Sequence, residues 1–287
     1  MKWRRARQSG NVEDRRGLGG GFGGRRGGRG LGIGGVLVLL LLGWLLGVDP
    51  LTMLAQLEQA PGPAQHRHAP AANDSQRQFI GAILGETEDV WNAVFQRQGA
   101  TYPPPRLVLF DGYVQSACGS ASAAVGPFYC PGDQQVYIDL SFFAEMERRL
   151  GGGGDFAEAY VIAHEVGHHV QHVTGSTRRV EQARRRGESV EGADGLVVRQ
   201  ELQADCYAGV WAHLAQQRHA WLEPGDLEEA LNTASAIGDD RLQRQARGTV
   251  VPDSFTHGSS AQRVRWFRIG WDSGDPARCD TFRAARL

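Results

Sequence analysis

Hydrophobic positions along this chain recur with different periods, and each change of period marks a change of element. In "NDSQRQFIGAILGETEDVWNAVFQRQG", Phe79, Ile83, Val90, Val94 and Phe95 recur near helical spacing, and Gly99 supplies the stop. "YPPPRLVLFDG" reads as a turn and then a strand, roughly 106–110. The small residues of "YVQSACGSASAAVGPFYCPGDQQ" indicate a long loop that ends in the turn Pro131-Gly132-Asp133. "QVYIDLSFF" gives a second strand, and Ser141 can begin a short helix to about Leu150, broken by Gly151 to Gly154. Beyond that break the pattern is helical. "DFAEAYVIAHEVGHHVQHVTG" opens with Asp155 and Glu158 at capping-box spacing and closes at Gly175. Residues 196–217, "LVVRQELQADCYAGVWAHLAQQ", form a second long apolar helix. "LEPGDLEEALNTASAIGDDRLQRQ" reads as a third and "SSAQRVRWFRIGWDSG" as a last, amphipathic one. Between the first two, "STRRVEQARRRGESVEGADG" reads as partly helical and solvated. Trp91, Trp211, Trp266 and Trp271 are expected in the core. The fold class expected is α+β, mostly helical, with a small sheet packed on the helix of residues 155–174.

The chain before residue 73 has another character. "LGIGGVLVLLLLGWLLGV", residues 31–48, is uncharged and at the short end of a membrane-spanning length. Arginines crowd its N-terminal side, so the positive-inside rule predicts a cytoplasmic N-terminus and an extracytoplasmic C-terminal domain. A cleaved signal peptide is the competing reading, but "DPLTMLAQLEQA" offers no clean cleavage site. The expected organisation is a basic Gly/Arg-rich tail (1–30), a transmembrane helix (31–48), a Pro/Ala/Gln-rich linker (49–72) and a globular domain (73–287). His66 and His68 fall in the linker and read as solvated. The tail suits contact with anionic lipid. Nine basic residues in it leave 22 basic against 30 acidic for the rest, so the body is acidic. An acidic body argues against nucleic acid as a partner.

Cysteine usage fits an oxidising compartment. Cys118, Cys130, Cys206 and Cys279 all follow the hydrophobic segment. Cys118 with Cys130 closes a short loop, which leaves Cys206 with Cys279. The competing reading is four buried thiols.

Chemistry concentrates in "AHEVGHHVQHVTG", which contains His164-Glu165-Val166-Gly167-His168. Helical residues four apart lie roughly 40° apart around the axis, so His164 and His168 can grip one ion. Glu165 then lies beside the open side of that ion, where a general base is wanted. Candidates for a third ligand are His172, on the same straight helix but a turn too far, and Glu201 on the second long helix. A metzincin arrangement is excluded: Gln171 and Thr174 occupy its glycine and histidine positions, and no methionine follows Met146. Glu201 and Asp205 are again four apart, so Asp205 can accept a hydrogen bond from a ligating histidine. His257, in "SFTHGSS", is the candidate second donor to a developing oxyanion. The strand "QVYID" is expected to pair with an extended substrate. His169, His172, His213 and His219 receive no role.

"AYVIAHEVGHHVQHVTG", "ELQADCYAGVWA", "PDSFTHGSSAQRVRWF" and the opening "MKWRRARQSGNVEDRRG" together resemble the putative neutral zinc metallopeptidase family. The resemblance covers nearly the whole chain. It implies a zincin-like, membrane-anchored peptidase acting on polypeptides. It also implies Zn2+ held by His164, His168 and Glu201, with Glu165 as base. A non-catalytic, zinc-stabilised binding module at the membrane surface is the alternative.

Overall fold

The computed structural model describes residues 1–17, 74–150 and 153–287. Asp74 caps the first α-helix of this set, α1 (Ser75–Arg97): its Oδ1 accepts the N–H groups of Gln76 and Arg77 at 2.9 and 3.2 Å. The other helices are α2 (Ser141–Leu150), α3 (Asp155–Thr174), α4 (Arg178–Arg185), α5 (Leu196–His219), α6 (Asp226–Ala236), α7 (Asp239–Arg247) and α8 (Ser260–Ser273). The third helix expected from sequence is thus two, α6 and α7, parted at Ile237 and Gly238. The start of α8 occupies the break: Ser260 donates its hydroxyl to the Ser235 carbonyl and its N–H to Asp240.

Strands β1 (Val12–Asp14), β2 (Arg106–Phe110), β5 (Phe128–Cys130) and β6 (Gln135–Asp139) form one sheet in the order β1-β2-β6-β5. β1, β2 and β6 run parallel, and β5 is antiparallel to β6. The apolar runs of β2 and β6 fit this interior placement, since Leu107 to Leu109 and Val136 to Ile138 are buried. "QVYID" is therefore a central strand, and its edges are occupied by β2 and β5; it cannot add a substrate strand as expected. The long loop before it carries more order than its small residues suggested. It holds the hairpin β3 (Tyr113–Ser116) and β4 (Gly119–Ser122), then the edge strand β5. Both cysteine pairs form as expected, Cys118 with Cys130 and Cys206 with Cys279.

The capping box at the start of α3 does not form. Gly154 is the N-cap, and Glu229 of α6 accepts the N–H of Phe156 at 3.2 Å instead. Asp155 accepts the indole N–H of Trp3 at 3.0 Å. A tertiary acceptor, Glu229, thus serves the first turn of α3, and the Asp155 carboxylate is engaged by Trp3.

That Trp3 contact revises the domain boundaries. Residues 1–16 are not a solvated tail but belong to the same compact unit as the main domain. Trp3 is buried edge-on against Phe79, ring centroids 5.3 Å apart. Arg7 pairs with Glu88 and Asp89, each at 2.8 Å, while Ser9 and Asn11 donate to Glu88. At Gly85 a side chain is impossible, because a Cβ there would sit 2.6 Å from the Arg7 carbonyl oxygen. Sequence composition hid this, because Arg7, one of the arginines that suggested a tail, is the partner of carboxylates on α1. Arg16 also pairs with Asp74, so these two residues lie side by side. The expected transmembrane helix 31–48 and the linker histidines His66 and His68 lie outside the described residues. Among the described residues no helix is long and apolar enough to cross a membrane.

Because Trp3 is a core residue, Trp3→Ala should destabilise the protein by about 3 kcal/mol. Urea unfolding followed by circular dichroism measures this, and a mere tail residue would give no change.

Candidate metal centre

α3 and α5 pack against each other, and each presents residues at four-residue spacing to the other. On α3, Val161, His164, Glu165 and His168 share one face and line a cleft of about 610 Å³. Glu201 of α5 meets the histidines across the helix pair. Its Oε2 lies 3.3 Å from His164 Nε2 and 3.5 Å from His168 Nε2. Zinc bonds of about 2.0–2.1 Å in tetrahedral geometry place neighbouring ligand atoms roughly 3.3–3.4 Å apart. The distances from Glu201 match that spacing, the ligand atoms of all three groups lie within 4.8 Å of one another, and among the described residues they are the one cluster that could hold a metal ion. His172, the competing third ligand, is not in the cluster; its ring lies against Tyr129.

Behind each histidine stands a partner on Nδ1, which directs Nε2 toward Glu201. His164 Nδ1 meets Asp205 Oδ1 at 2.8 Å, as the spacing predicted. Asp205 is fully buried and also accepts from the Tyr160 hydroxyl at 2.6 Å and from Arg263 through Nε and Nη2, both at 2.9 Å. The sequence reading missed Tyr160 and Arg263. Tyr160 was within its reach, one turn before His164 on the same face. Arg263 was not, because nothing in the pattern of α8 distinguishes a buried arginine from a solvated one. His168 Nδ1 meets Gln171 Oε1 at 2.9 Å.

Burial penalises every charge in this cluster, and the partners outweigh it. Burial raises the Asp205 carboxyl, but Arg263 and His164 hold it down at about 2. Burial likewise opposes the ionised Glu201, yet His168 and His164 keep it well below the usual carboxylate range. For His164, burial favours the neutral ring, but Asp205 and Glu201 raise it to about 10 in the metal-free protein. His168 moves up for the same reason, against burial and through Glu201. His169 moves the other way, lowered by burial to about 4. Its Nε2 donates to the Pro103 carbonyl at 2.6 Å and its Nδ1 accepts from Tyr129 at 3.1 Å.

His257 lines the cleft, on the loop before α8. The loop is pinned rather than loose: Asp239 Oδ2 accepts the N–H groups of Thr256, His257 and Gly258 at 2.7, 2.6 and 3.0 Å. His257 Nδ1 lies 3.4 Å from Asp239 Oδ1, and the ring is half exposed. Facing Asp239 through Nδ1 leaves Nε2 as the ring atom available to another group.

Zinc needs unprotonated ring nitrogens, so uptake must displace the protons that Glu201 and Asp205 hold on the histidines. Both shifts are upward, and for His164, raised to about 10, the proton is present at neutral pH and is lost only as pH rises. Zinc affinity should therefore climb between about pH 6 and pH 8, with at least about one proton released per ion. Titration calorimetry in buffers of different protonation enthalpy checks this; release of no protons would contradict it.

A family model described as putative neutral zinc metallopeptidase matches residues 1–282. Uncharacterized protein YpfJ of Escherichia coli (strain K12) is 50% identical over 288 residues, covering 98% of this chain and 99% of the relative. Uncharacterized protein Rv2575 of Mycobacterium tuberculosis (strain ATCC 25618 / H37Rv) is 44% identical over 260 residues, covering 85% of this chain and 86% of the relative. No solved structure matches. The match begins at the first residue, as the folding of residues 1–16 into the domain requires, and with it the chain belongs to the putative neutral zinc metallopeptidase family.

Proposed function

We propose that this protein is a zinc-dependent peptidase, most simply an endopeptidase, that hydrolyses peptide bonds in polypeptides. The observation that carries the reading is the three-ligand set His164, His168 and Glu201, which opens with Glu165 onto the cleft. Structural zinc sites are usually closed by four protein ligands, whereas catalytic sites keep a position open. That contrast favours the enzyme over a zinc-stabilised binding module.

Zinc, when bound, supplies a Lewis acid and lowers the pKa of a water from 15.7 to about 7. Glu165 accepts the proton of the attacking water as its oxygen bonds to the scissile carbonyl carbon. The carbon–nitrogen bond then breaks, and Glu165 returns the proton to the leaving amine. His257, oriented by Asp239, donates a hydrogen bond from Nε2 to the developing oxyanion. Edge strand β5 supplies Phe128 and Tyr129 to the cleft wall and replaces "QVYID" as the strand on which an extended substrate lies. Apolar lining from Val125, Phe142, Ile237 and Leu242 suits a substrate with bulky apolar side chains.

Two disulfides support an oxidising, extracytoplasmic location. The apolar run 31–48 remains the segment suited to the bilayer, and nucleic acid is not proposed as a partner. A single crossing there would put residues 1–16 and 74–287 on opposite faces, yet they form one unit. This supports a topology in which both flanks share a side, in place of the one with the N-terminus alone in the cytoplasm.

Glu165→Gln should retain zinc and lose peptide hydrolysis by about a thousandfold or more, measured on unfolded protein and short peptides. Should zinc-loaded wild type and variant cleave equally, Glu165 is not the base. His257→Ala should lower turnover by about a hundredfold with zinc content unchanged; unchanged turnover removes it from the mechanism. In intact cells, a membrane-impermeant maleimide should label Gly10→Cys and Ala100→Cys alike, both or neither. Labelling of one alone restores the opposite-sides topology.

A further inference from the structure

We infer that Gln171 and Gln203 are positioning residues that relay the orientation of His168 to the carbonyl of Cys279. The inference rests on the reading of His164, His168 and Glu201 as zinc ligands, and it concerns the partner on the far side of one of them. His168 Nδ1 lies 2.9 Å from Gln171 Oε1. Gln171 Nε2 donates to the Gln200 carbonyl at 2.7 Å and to Gln203 Oε1 at 3.1 Å. Gln203 Nε2 donates to the Cys279 carbonyl at 2.9 Å. Gln171 is fully buried and Gln203 is buried, so no solvent competes for these groups.

The direction of every bond in this chain is forced. A carbonyl oxygen only accepts, so Cys279 requires the amide nitrogen of Gln203, not its oxygen. The oxygen of Gln203 then faces Gln171 and requires nitrogen there, as does the Gln200 carbonyl independently. One orientation of Gln171 satisfies both, and it turns Oε1 toward His168. Nδ1 of the histidine must then carry a proton toward Gln171, which leaves Nε2 as the ring atom that faces Glu201 and can bind an ion. Two neutral amides thus fix a tautomer that a carboxylate fixes for His164. The end of the relay is itself held, because Cys279 is bonded to Cys206, three residues after Gln203 on α5.

A relay in series has a signature that separate packing contributions lack. Zinc affinity is measured on the full chain against a chelating competitor, with circular dichroism confirming the fold of each variant. Gln171→Met should weaken zinc binding by about 10–100-fold, and Gln203→Met by about tenfold. The double variant should match Gln171→Met alone, because the second link has nothing left to orient. Gln171→Glu keeps an acceptor for His168 but has no donor for Gln203 Oε1 or the Gln200 carbonyl, so it too should bind zinc more weakly than wild type. It tests the link to Gln203 should Gln203→Met fail to fold.

Wild-type affinity in Gln203→Met, or losses that multiply in the double variant, overturns the relay while leaving the metal centre intact. Wild-type affinity in Gln171→Glu does the same, since His168 then needs an acceptor but not the link to Gln203. Absence of zinc binding in the wild type fells the metal reading first, and the relay with it.

Discussion

The site depends on a single buried carboxylate. Asp205 is fully buried on α5, and an ionised group there is tolerable only when its lone pairs are satisfied. Arg263 supplies two hydrogen bonds and a compensating charge, Tyr160 a third bond and His164 a fourth. These partners come from α8 and α3, so satisfying one carboxylate fixes three helices relative to one another. The same contact that locks the helices also turns His164 toward Glu201. Fold and site geometry are consequences of the same electrostatic requirement.

Close helix packing makes that requirement achievable. α5 and α8 meet through Gly209 and Gly270. A Cβ on Gly209 would lie 2.1 Å from the Phe267 carbonyl oxygen, and one on Gly270 would lie 2.0 Å from that of Cys206. Backbone therefore touches backbone where the arginine crosses to Asp205. The Cys206–Cys279 bond ties the chain beyond α8 back to α5 near this crossing. On the other side of the cleft, Cys118–Cys130 ties the β3–β4 hairpin to edge strand β5. The helical wall and the strand wall each carry one covalent tie, and neither tie spans the cleft itself.

The first sixteen residues show how one tertiary contact can reverse a local reading. Arginine-rich sequence before a hydrophobic run ordinarily marks a solvated, cytoplasmic segment. Here Arg7 meets Glu88 and Asp89, Trp3 enters the core, and β1 extends the sheet beside β2. The carboxylates that receive Arg7 are about eighty residues away in sequence, so no local pattern links them.

The sequence by itself determined what depends on short-range periodicity. Four-residue spacing on a helix put His164 with His168 and Glu201 with Asp205, and apolar period placed α1, α3 and α5. Cysteine spacing indicated both disulfides. Tertiary structure decided whatever needs partners from distant segments. It brought Arg263 beneath Asp205, took the cap of α3 from Glu229, and made β5 rather than β6 the sheet edge. The physical reason is the reach of each interaction. Periodicity reports which side chains share a face, but hydrogen-bond satisfaction of a buried group is settled only when another face closes over it.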